Sequence, residues 1–553
     1  MNARNGHLPR AGRPGKVLLA GIVWVLILAA KGGAWAQVPG TPGQATAQAV
    51  VNVAELARQQ AATPPAPPQR RVIPFMSVPP RRSVPPEGVR PQKPTPPSAE
   101  MGLPAAAVPS PSPAASFAAL GDNDLAIPPD TMGAAGPNHL MVTLNTEVRI
   151  QNRTGGTIST VSLDSFWSGV CVACVVFDPK LTYDPFNNRW IFAAVSNGQT
   201  ASSSVLIGVS RTSDPTGIWN LFRVDADSGN TKWADYPSLG FNKDWIVVGV
   251  NMFANSNNDY LGPKLYVFRK ALLYANTGST HTVLTPPAAA FTQAPAVTYD
   301  NTLSTMYLVE HFNGDFGGGI GQLIVSTITG PVGSEVYTDG VFFVTATSTW
   351  GFAPTAMADF APQLGSLQKI QNGDARILNA VYRNGSLWAT QNAFLPSTAP
   401  TRTAAQWWQF QTNGTLQQFG RVDDSSGSVF YAYPSIAVNS QNDVLLGFSS
   451  FSATQYASAG YAFRLAGDTS GTMRTPAMLQ AGTGSYYKIF SGARNRWGDY
   501  SGTVVDPVND LDFWTIQEYA SSPDFPNGDD RWGTWWGKVS PPLAKRRGQL
   551  VSD

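Results

Sequence analysis

The sequence predicts an all-β fold, a seven-bladed β-propeller that follows a signal peptide and a Pro-rich disordered segment. The main observation is a repeat: two short apolar runs separated by a polar turn recur seven times in residues 116–540, a pattern typical of β-hairpins in a repeat protein. The composition agrees, because only 13% of the residues are charged while Gly and Pro number 52 and 44. Such a composition favours turns and short strands over a coiled coil.

Residues 1–36 have the three parts of a secretory signal. Four basic residues precede the apolar run 17–30, and the A-x-A sequence at 34–36 is a cleavage site that would leave Gln37 at the start of the mature chain. The apolar run is shorter than the roughly 20 residues with which a helix crosses a bilayer. We therefore expect a protein secreted to the extracellular space, periplasm or cell envelope, with no membrane span in the mature chain.

Residues 37–115 are rich in Pro, Ala and Ser, as in the stretch VPPRRSVPPEGVRPQKPTPPS. Pro supplies no backbone N–H and keeps a chain extended, so this composition predicts a disordered linker or a propeptide. Its arginines suggest a tether to an anionic envelope surface, and a solvated linker is the simpler interpretation. Residues 541–553 are predicted to form a disordered tail.

The seven repeats of residues 116–540 follow one another about every 60 residues, close to the length of a four-stranded propeller blade with longer loops. The longest step, between the turns at Asp300 and Asn384, has room for an eighth blade, and without the weak fifth copy six blades would remain. The clearest two copies read DYPSLGFN from Asp235 and AYPSIAVN from Ala432. Further apolar runs follow most hairpins, as expected for the two outer strands of a blade. The turns of the seven hairpins are centred on Gly136, Asp184, Asn242, Asp300, Asn384, Asn439 and Asp506.

A propeller must also join its last blade to its first. The segment RWGTWWGKV at 531–539 is interpreted as a late strand of blade seven, and SFAAL at 116–120 is predicted to pair beside it. Stacking the sheets around an axis buries both faces of each blade. The 16 Trp and 27 Phe residues are expected to fill the wide outer gaps between blades.

Alignment of the repeats places acidic and phenolic residues at the start of the innermost strands. If these strands converge on one axis, the side chains ring one channel mouth, where close carboxylates push each other's pKa values apart as acid–base catalysis requires. The acids would equally suit Ca²⁺, which prefers several oxygen ligands, or would only accept backbone N–H groups at strand starts. The aligned residues are Asp130, Asp178, Tyr236, Tyr433 and Tyr500, with Asp235 and Asp499 one position earlier.

The sequence RNRWGDY at 494–500 is the densest polar cluster of the chain. Arg496 is predicted to clamp a sugar carboxylate through its planar guanidinium, because two parallel N–H groups match a carboxylate. Asp235, Asp499 and Tyr500 are the candidates for acid–base or nucleophilic work. The alternative is a structural Arg–Asp pair between neighbouring blades. The residues assigned to ligand binding are Asp130, Asp178, Tyr236, Tyr433, Trp497 and Arg494.

Several other kinds of site are excluded by the sequence. The four His residues are scattered and no HExxH is present, which argues against a zinc hydrolase. No G-x-S-x-G elbow or P-loop occurs, and a net charge of +2 argues against a nucleic-acid-binding surface. The two cysteines, Cys171 and Cys174, are spaced as C-x-x-C and predict a local disulfide in an exported protein.

At RWGDYSGTVVDP (496–507) and FWTIQEYA (513–520) the sequence resembles a family of large bacterial exported β-propeller proteins. The match extends to PPDTMGAAGPNHLM (128–141) and VYRNGSLWA (381–389), and it covers roughly residues 120–540. This family distantly resembles sialidase-type propellers, which implies the fold and export. Sialidases bind a substrate carboxylate with three arginines next to a tyrosine nucleophile. The resemblance would assign these roles to Arg189, Arg376 and Arg496, with Tyr500, although only degenerate Asp-boxes occur, at 214–219 and 468–473.

The first functional hypothesis is a monomeric, secreted binding protein that engages an extracellular glycan or protein at the channel mouth. The alternative is a glycosidase or polysaccharide lyase, sialidase-like in its chemistry, that acts on an acidic polysaccharide. A purely structural envelope protein is the third hypothesis. Two carboxyl groups about 5–10 Å apart beside a sugar-sized pocket would favour the enzyme, whereas a flat mouth with every Asp bonded to backbone would favour binding.

Overall fold

The computed structural model describes residues 37–63, 70–74, 76, 108–354, 359–490, 492–523 and 528–542. Over these residues the protein is all-β, with antiparallel sheets and a few short helices. The predicted signal peptide and most of the predicted tail, residues 543–553, lie outside the described residues. In the described part of the chain, no helix has the length and apolar character needed to span a membrane.

The first described elements precede the repeats in the chain. They are β1 (Gln37–Pro39), β2 (Thr41–Gly43), β3 (Ala47–Asn52), α1 (Val53–Ala62), β4 (Arg71–Val72), β5 (Ala115–Gly121) and β6 (Ala126–Ile127).

The strands that follow β6 form seven antiparallel meanders, numbered here in chain order. Helix α2 (Leu163–Trp167) follows meander 1, and α3 (Lys270–Ala275) interrupts meander 3. Meanders 1 and 2 contain β7 (Met132–Ala135), β8 (His139–Thr143), β9 (Glu147–Asn152), β10 (Thr157–Ser162), then β11 (Val176–Asp184), β12 (Arg189–Ser196), β13 (Ser204–Ser210) and β14 (Ile218–Asp225). Meanders 3 and 4 contain β15 (Lys232–Phe241), β16 (Trp245–Ala254), β17 (Tyr260–Arg269), β18 (His281–Leu284), then β19 (Ala294–Thr298), β20 (Met306–Gly317), β21 (Ile320–Thr329) and β22 (Val336–Ala346).

The remaining strands complete the set. A separate two-stranded sheet, β23 (Asp359–Gln363) and β24 (Ser366–Gln371), lies between meanders 4 and 5 in the chain. Meanders 5 and 6 contain β25 (Ile377–Arg383), β26 (Ser386–Leu395), β27 (Arg402–Gln411), β28 (Leu416–Val422), then β29 (Val429–Val438), β30 (Val444–Ser452), β31 (Gln455–Arg464) and β32 (Ala477–Gln480). Meander 7 contains β33 (Gly502–Val505), β34 (Phe513–Ser521) and β35 (Arg531–Val539), and its fourth strand is β5.

The first strands of the seven meanders form a closed ring. Each first strand contacts the first strand of the next meander, and β33 of meander 7 contacts β7 of meander 1. In meanders 3 to 5 the contact includes parallel pairing, for example Phe241 with Val297 and Ala296 with Ala380. The antiparallel sheets therefore surround a single axis, and their first strands form the innermost ring.

The hairpin turns between first and second strands are set by Asn and Asp side chains. Asn242 accepts the backbone N–H of Asp244 (3.0 Å) and of Trp245 (2.8 Å). Asp184 and Asn439 accept N–H groups of their own turns in the same way. Such side chains mimic a backbone turn and favour it locally. The turn residues that the sequence predicts therefore lie in the hairpin turns.

Strand β5 closes the ring by pairing with β35, as the sequence predicts for 116–120 beside 531–539. The register places Ala118 opposite Trp535 and Phe117 opposite Trp536. Thr534 reinforces the pairing: its hydroxyl accepts the N–H of Leu120 (3.0 Å) and donates to the Leu120 carbonyl (2.8 Å). The last meander thus takes its outer strand from the N-terminal side of the chain.

The prediction that residues 37–115 form a disordered linker is wrong for the parts that the structure describes. Strands β1, β2 and β3 pair with the outer strands of meanders 4, 3 and 2, respectively, and form a belt around them. Helix α1 then packs against meander 1, with Val53 fully buried. The physical reason is that the outer strand of each meander offers unpaired N–H and C=O groups, which an extended segment satisfies by pairing. Residues 64–69, 75 and 77–107 lie outside the described residues.

Aromatic residues fill the spaces between the sheets. The large, fully buried side chains include Trp167, Trp219, Trp388 and Trp407, which lie in clusters shared by neighbouring meanders. Cys171 and Cys174 are bonded to each other in the loop that follows α2, with their Cα atoms 5.4 Å apart. The loop with its disulfide leads into β11, whose start contributes to the site described next.

Candidate functional site

The first strands begin with a shared irregularity. In meanders 2, 3 and 6 the pairing with the second strand shifts register across Asp178–Pro179, Tyr236–Pro237 and Tyr433–Pro434. Pro cannot donate to a ladder, so it fits at such a bulge. A positive φ for Asp is tolerated, whereas for Tyr it is strained and is concentrated at functional positions. The residues with positive φ at the aligned position are Asp130 (54°), Asp178 (54°), Tyr236 (50°) and Tyr433 (55°).

Acidic side chains from four meanders lie together at one end of the ring. Carboxylate oxygens of Asp130, Asp178 and Asp499 lie within 4.8 Å of one another. Asp235 belongs to the same cluster, because its charge acts on Asp178 and the charge of Asp499 acts on it. Asp130 and Asp178 are buried, whereas the Asp499 side chain is 24% exposed. The structure thus places the four predicted acids at one site.

Hydrogen bonds tie this cluster to the backbone of neighbouring meanders. Asn145 donates to Asp130 Oδ2 (2.6 Å) and accepts the N–H of Asp178 (2.8 Å). Asp178 Oδ2 in turn accepts the N–H of Tyr236 (3.1 Å). The second oxygens, Oδ1 of Asp130 and of Asp178, receive no hydrogen bond from an N–H or O–H donor within the described residues. Each of these two acids therefore uses one carboxylate oxygen in a hydrogen bond within the fold and leaves the other available to a ligand.

Three cations balance part of the negative charge. Lys180 Nζ lies 2.9 Å from the ring centre of Tyr500 and 4.8 Å from that of Tyr236. Arg496 donates from Nη2 to Asp499 Oδ1 (2.7 Å). Arg376 lies 4.2 Å above the Tyr236 ring. Its guanidinium is held by Asp374, to which Nε donates at 2.8 Å and Nη2 at 2.6 Å.

Burial and mutual repulsion shift the protonation of the acids. Burial, together with the charges of Asp235 and Asp499, raises the pKa of Asp178 to about 8. Burial and Asp499 raise the pKa of Asp235 to about 7. Burial would also raise the pKa of Asp499, but Arg496, Arg376 and Lys180 outweigh it and hold that pKa below the usual value. At neutral pH the cluster thus contains an ionised acid beside protonated ones.

The lysine of the cluster is shifted toward neutrality as well. Burial lowers the pKa of Lys180 to about 7, against the opposing attraction of Asp178 and Asp130. Burial also raises the pKa of Asp130 well above its usual range, assisted by the charges of Asp499 and Asp178. Groups that titrate near neutrality exchange protons readily and are concentrated at functional sites.

The phenols differ in how freely they could act. Tyr500 donates its hydroxyl to the Pro179 carbonyl (2.9 Å), and Tyr433 donates to the Gln371 carbonyl (2.6 Å). The Tyr236 hydroxyl has no hydrogen-bond partner in the described part of the chain although it is buried. Burial raises the pKa of all three phenols well above the usual value. The nucleophilic role predicted for Tyr500 would require it to give up its bond to Pro179.

The channel behind the cluster is narrow. Its cavity of about 60 Å³ is lined by residues of all seven first strands. That volume holds a handful of water molecules, whereas sites for small organic ligands measure about 300–1,000 Å³. This cavity is therefore too small for a ligand of the size of a sugar. One lining residue from each first strand, in chain order, is Met132, Lys180, Ser238, Ala294, Asn379, Ser435 and Thr503.

A short segment, here called the strap (Arg70–Pro74 with Met76), covers this end. Its β4 pairs in parallel with β6, which lies just before Asp130. The carbonyls of Ile73 and Pro74 accept hydrogen bonds from Arg496 Nη1 at 3.1 and 3.3 Å. Ile73 and Met76 are buried in an apolar cluster that includes Phe177. The strap therefore occupies the position over the acidic end.

Three residues that the sequence suggests for ligand contact lie elsewhere. Trp497 is buried in the core, where its Nε1 donates to Ser449 (3.0 Å), so its ring is used in packing. Arg494 forms an ion pair with Asp359 (3.0 Å), the kind of structural pair that the sequence left as the alternative. Arg189 begins β12 at the opposite end of the first strand and lies over the Tyr274 ring. The three-arginine set suggested by the resemblance is therefore reduced to Arg376 and Arg496.

Two members of the site are missed by the sequence reasoning. Lys180 lies two residues after Asp178 on β11, at the aligned position of Ser238 and Ser435, so the alignment of repeats was a signal that could have found it. Asp374 orients Arg376 from two residues away, in an Asp-x-Arg pattern too common to single out.

Two kinds of occupant, a cation or protons, can compensate the negative charge of the acidic cluster. The free oxygens of Asp130 and Asp178, with the Asp499 carboxylate, suit a divalent cation that prefers oxygen, such as Ca²⁺. The raised pKa values of Asp130 and Asp178 suit protons held between the acids instead. Either occupant must compensate charge that Lys180 and Arg496 leave unbalanced.

The comparisons with known proteins are weak. No protein-family model matches the sequence, and the search of curated proteins found no match. Among solved structures, the Synechocystis apocarotenoid oxygenase is 9% identical, with a TM-score of 0.38 over 66% of this chain and 73% of its own. The phage phi92 endosialidase is 9% identical (TM-score 0.32, 68% of both chains). The Trypanosoma rangeli sialidase is 10% identical (TM-score 0.32), covering 71% of this chain and 57% of its own.

Proposed function

We propose that the chain is a secreted, monomeric seven-bladed β-propeller, with each meander as one blade, that binds an anionic extracellular glycan at the acidic end of its channel. The closed ring of first strands supports the blade count, because each meander contributes one inner strand to it. Secretion is supported by the signal-like residues 1–36.

The observation that carries the proposal is the pairing of two guanidinium groups with a ring of acids at one place. Arg496 and Arg376 carry planar guanidinium groups of the kind that match a carboxylate or sulfate. In the closed structure Asp374 holds Arg376, and Asp499 with the strap carbonyls holds Arg496. Asp499, partly exposed beside Arg496, accepts hydrogen bonds from sugar hydroxyls. Tyr236, whose ring is contacted by Arg376 and Lys180, supplies a buried hydroxyl that lacks a partner among the described residues. A uronic or sialic acid residue offers both the carboxylate and the hydroxyls that this set would bind.

The test is a glycan array that includes uronate-, sialate- and sulfate-containing oligosaccharides. It compares the parent chain with Arg496→Gln and with the matched control Arg189→Gln at the other end of the channel. Because Ile73 and Pro74 cover Arg496, each variant is also made with Ile73→Ser, which weakens the cover. We expect the parent and the control to retain acidic glycans. Arg496→Gln should lower the affinity for them about tenfold or more. Equal behaviour of the two arginine variants would contradict the proposal.

Hydrolysis or lyase chemistry on an acidic polysaccharide is the second candidate, favoured by the split in carboxyl pKa values. A protonated Asp235 beside an ionised Asp499 has the two states that a general acid and a general base require. In hydrolysis, Asp235 would give its proton to the leaving glycosidic oxygen, while Asp499 would take a proton from the attacking water. Release of reducing ends, lost in Asp499→Asn with binding retained, is the result expected for an enzyme. Turnover unchanged in Asp499→Asn would exclude this role.

A further inference from the structure

We infer that the strap is an intramolecular cover that must open before a glycan reaches the acidic end of the channel. This inference rests on the proposed function of the same site. It follows from where the strap lies, how it is held and what it contacts.

The strap makes with Arg496 the kind of hydrogen bonds that a ligand carboxylate would make there. Two of its backbone carbonyls accept hydrogen bonds from Arg496 Nη1, on the guanidinium that also holds Asp499. A substrate carboxylate that approaches Arg496 must displace these carbonyls. The cavity inside the channel next to Lys180, at about 60 Å³, is too small to hold a sugar beside Arg496. Closed strap and bound glycan are therefore mutually exclusive.

The strap is also held by contacts other than those to Arg496. Arg71 pairs with Asp164 (3.0 Å) and donates to the carbonyls of Asn145 and Val176. Backbone bonds join Arg71 N to the Leu125 carbonyl (2.9 Å) and link Ile73 to β6 in the same way. Loss of the Arg71 side chain would weaken the cover without removing a group that faces the glycan.

The strap is also small compared with the fold that carries it. Its β4 has two residues, whereas first strands such as β11 and β15 have nine and ten. Segments with few hydrogen bonds and few buried side chains open at much lower free energy than the whole domain. The belt strands β1 to β3 would remain paired with meanders 2 to 4, so an open strap stays tethered. Glycan affinity is then reduced by the fraction of molecules whose strap is open.

The experiment uses the full chain in a locked and a loosened form. The lock is Val72→Cys with Gly492→Cys, because a Cβ atom at Gly492 would lie 3.7 Å from Val72 Cγ1, within reach of a disulfide. The loosened form is Arg71→Gln. The matched control is Arg58→Gln, which removes an exposed ion pair with Glu55 on α1. The parent chain with reductant controls for reduction of Cys171–Cys174.

Access to the site is first measured without any glycan. Carbodiimide labelling of Asp235 and Asp499, read by mass spectrometry, reports whether reagent reaches the cluster, and exposed Asp214 serves as the internal reference. The labelling rate should be at least about tenfold higher in Arg71→Gln than in the oxidised lock, because Arg71→Gln removes hydrogen bonds from a charged donor. Reduction of the lock should restore the parent rate. Equal rates in locked and loosened chains would overturn the inference.

Binding of a polygalacturonate fragment then separates this inference from the proposed function. Apparent affinity that rises about tenfold in Arg71→Gln and falls in the oxidised lock supports both. Labelling that responds to the strap, with no binding by any form, overturns the glycan proposal for this probe and leaves the cover in place. Affinity that is equal in locked and loosened chains overturns the inference and leaves glycan binding intact.

Discussion

At the scale of single residues, Asp178 has one carboxylate oxygen that is hydrogen-bonded within the fold and one that is not. Its Oδ2 accepts the N–H of Tyr236 and so joins meanders 2 and 3, while its Oδ1 has no N–H or O–H donor in the described residues. The residue also has a positive φ of 54°, which Asp tolerates better than most residues. An acid that is useful only for the fold would be served as well by Asn at this position.

The protonation of Asp178 leads to a prediction about stability. Its pKa in the folded protein is about 8, above the usual value of 3.8 for an aspartate, so the folded state binds an extra proton between these pH values. Stability conferred by this group is full below pH 4 and is lost as the pH rises toward 8. We expect the free energy of unfolding of Asp178→Asn to exceed that of the parent, by a gap that grows about 1.4 kcal/mol for each pH unit across that window. Urea unfolding at pH 5, 7 and 9 measures the gap, and a gap that does not change with pH would contradict the assignment.

The same cluster leads to a prediction about Ca²⁺. Protons and a cation compete for the oxygens of Asp130, Asp178 and Asp499, so binding of Ca²⁺ must release protons and strengthen as the pH rises. We expect millimolar Ca²⁺ to raise the melting temperature at pH 8.5 and not at pH 5.5. Asp130→Asn should abolish the effect, and Asp214→Asn, an exposed acid outside the cluster, should not. No effect at either pH would show that protons alone compensate the cluster.

At the scale of elements, the closing pair β5–β35 joins the two ends of the repeat region. The hydroxyl of Thr534 bridges both backbone groups of Leu120 in a buried position. Replacement by the similarly shaped Val leaves these groups without that partner. The pair thus depends on one side chain as well as on the ladder of backbone bonds.

For this pair we expect Thr534→Val to lower the free energy of unfolding by about 1–3 kcal/mol. The matched control is Ser116→Ala, which removes an exposed bond from Trp535 to the same strand and should change stability by less than about 0.5 kcal/mol. Denaturant unfolding at neutral pH compares the three chains. Equal losses in both variants would show that the Thr534 bridge has no special weight.

The belt of β1 to β3 depends on close approach between backbones. A Cβ atom at Gly40 would lie 1.9 Å from Thr282 Cγ2 and 3.1 Å from the Glu335 carbonyl, so only glycine fits there. We expect Gly40→Ala to release β1 and β2 from meanders 4 and 3, seen as faster hydrogen exchange in residues 37–43. Gly121→Ala, where nothing lies within 4 Å of the added atom, is the control. Unchanged exchange in Gly40→Ala would mean that the belt shifts to admit the methyl group.

At the scale of the whole molecule, the seven meanders form one closed ring, and the belt and strap lie on its outside and across one end. A chain that starts at Val108 keeps β5 and all seven meanders, whereas one that starts at Asp122 lacks the fourth strand of meander 7. Without β5, the outer edge of β35 is left unpaired and the side chains that β5 covers become exposed.

We therefore expect the chain from Val108 to unfold in a single transition, at a lower temperature than the parent because it has lost the belt. The chain from Asp122 should aggregate or unfold without a sharp transition. Gel filtration and thermal unfolding followed by circular dichroism distinguish the two. Sharp, equal transitions in both would show that ring closure through β5 contributes little.

Local features follow from the amino-acid sequence alone. Alternating apolar runs and Asx turns such as those at Asp184 and Asn242 specify hairpins one at a time, and alignment of the repeats indicated which acids share a position. The partners that those residues meet are known only from the folded chain. The pairing of 37–52 with the outer strands, the cover of Ile73 over Arg496 and the place of Lys180 among the acids join residues far apart in the chain. The physical reason is that a turn forms from neighbouring residues, whereas an open strand edge or a buried charge accepts any complementary segment that the closed ring brings near.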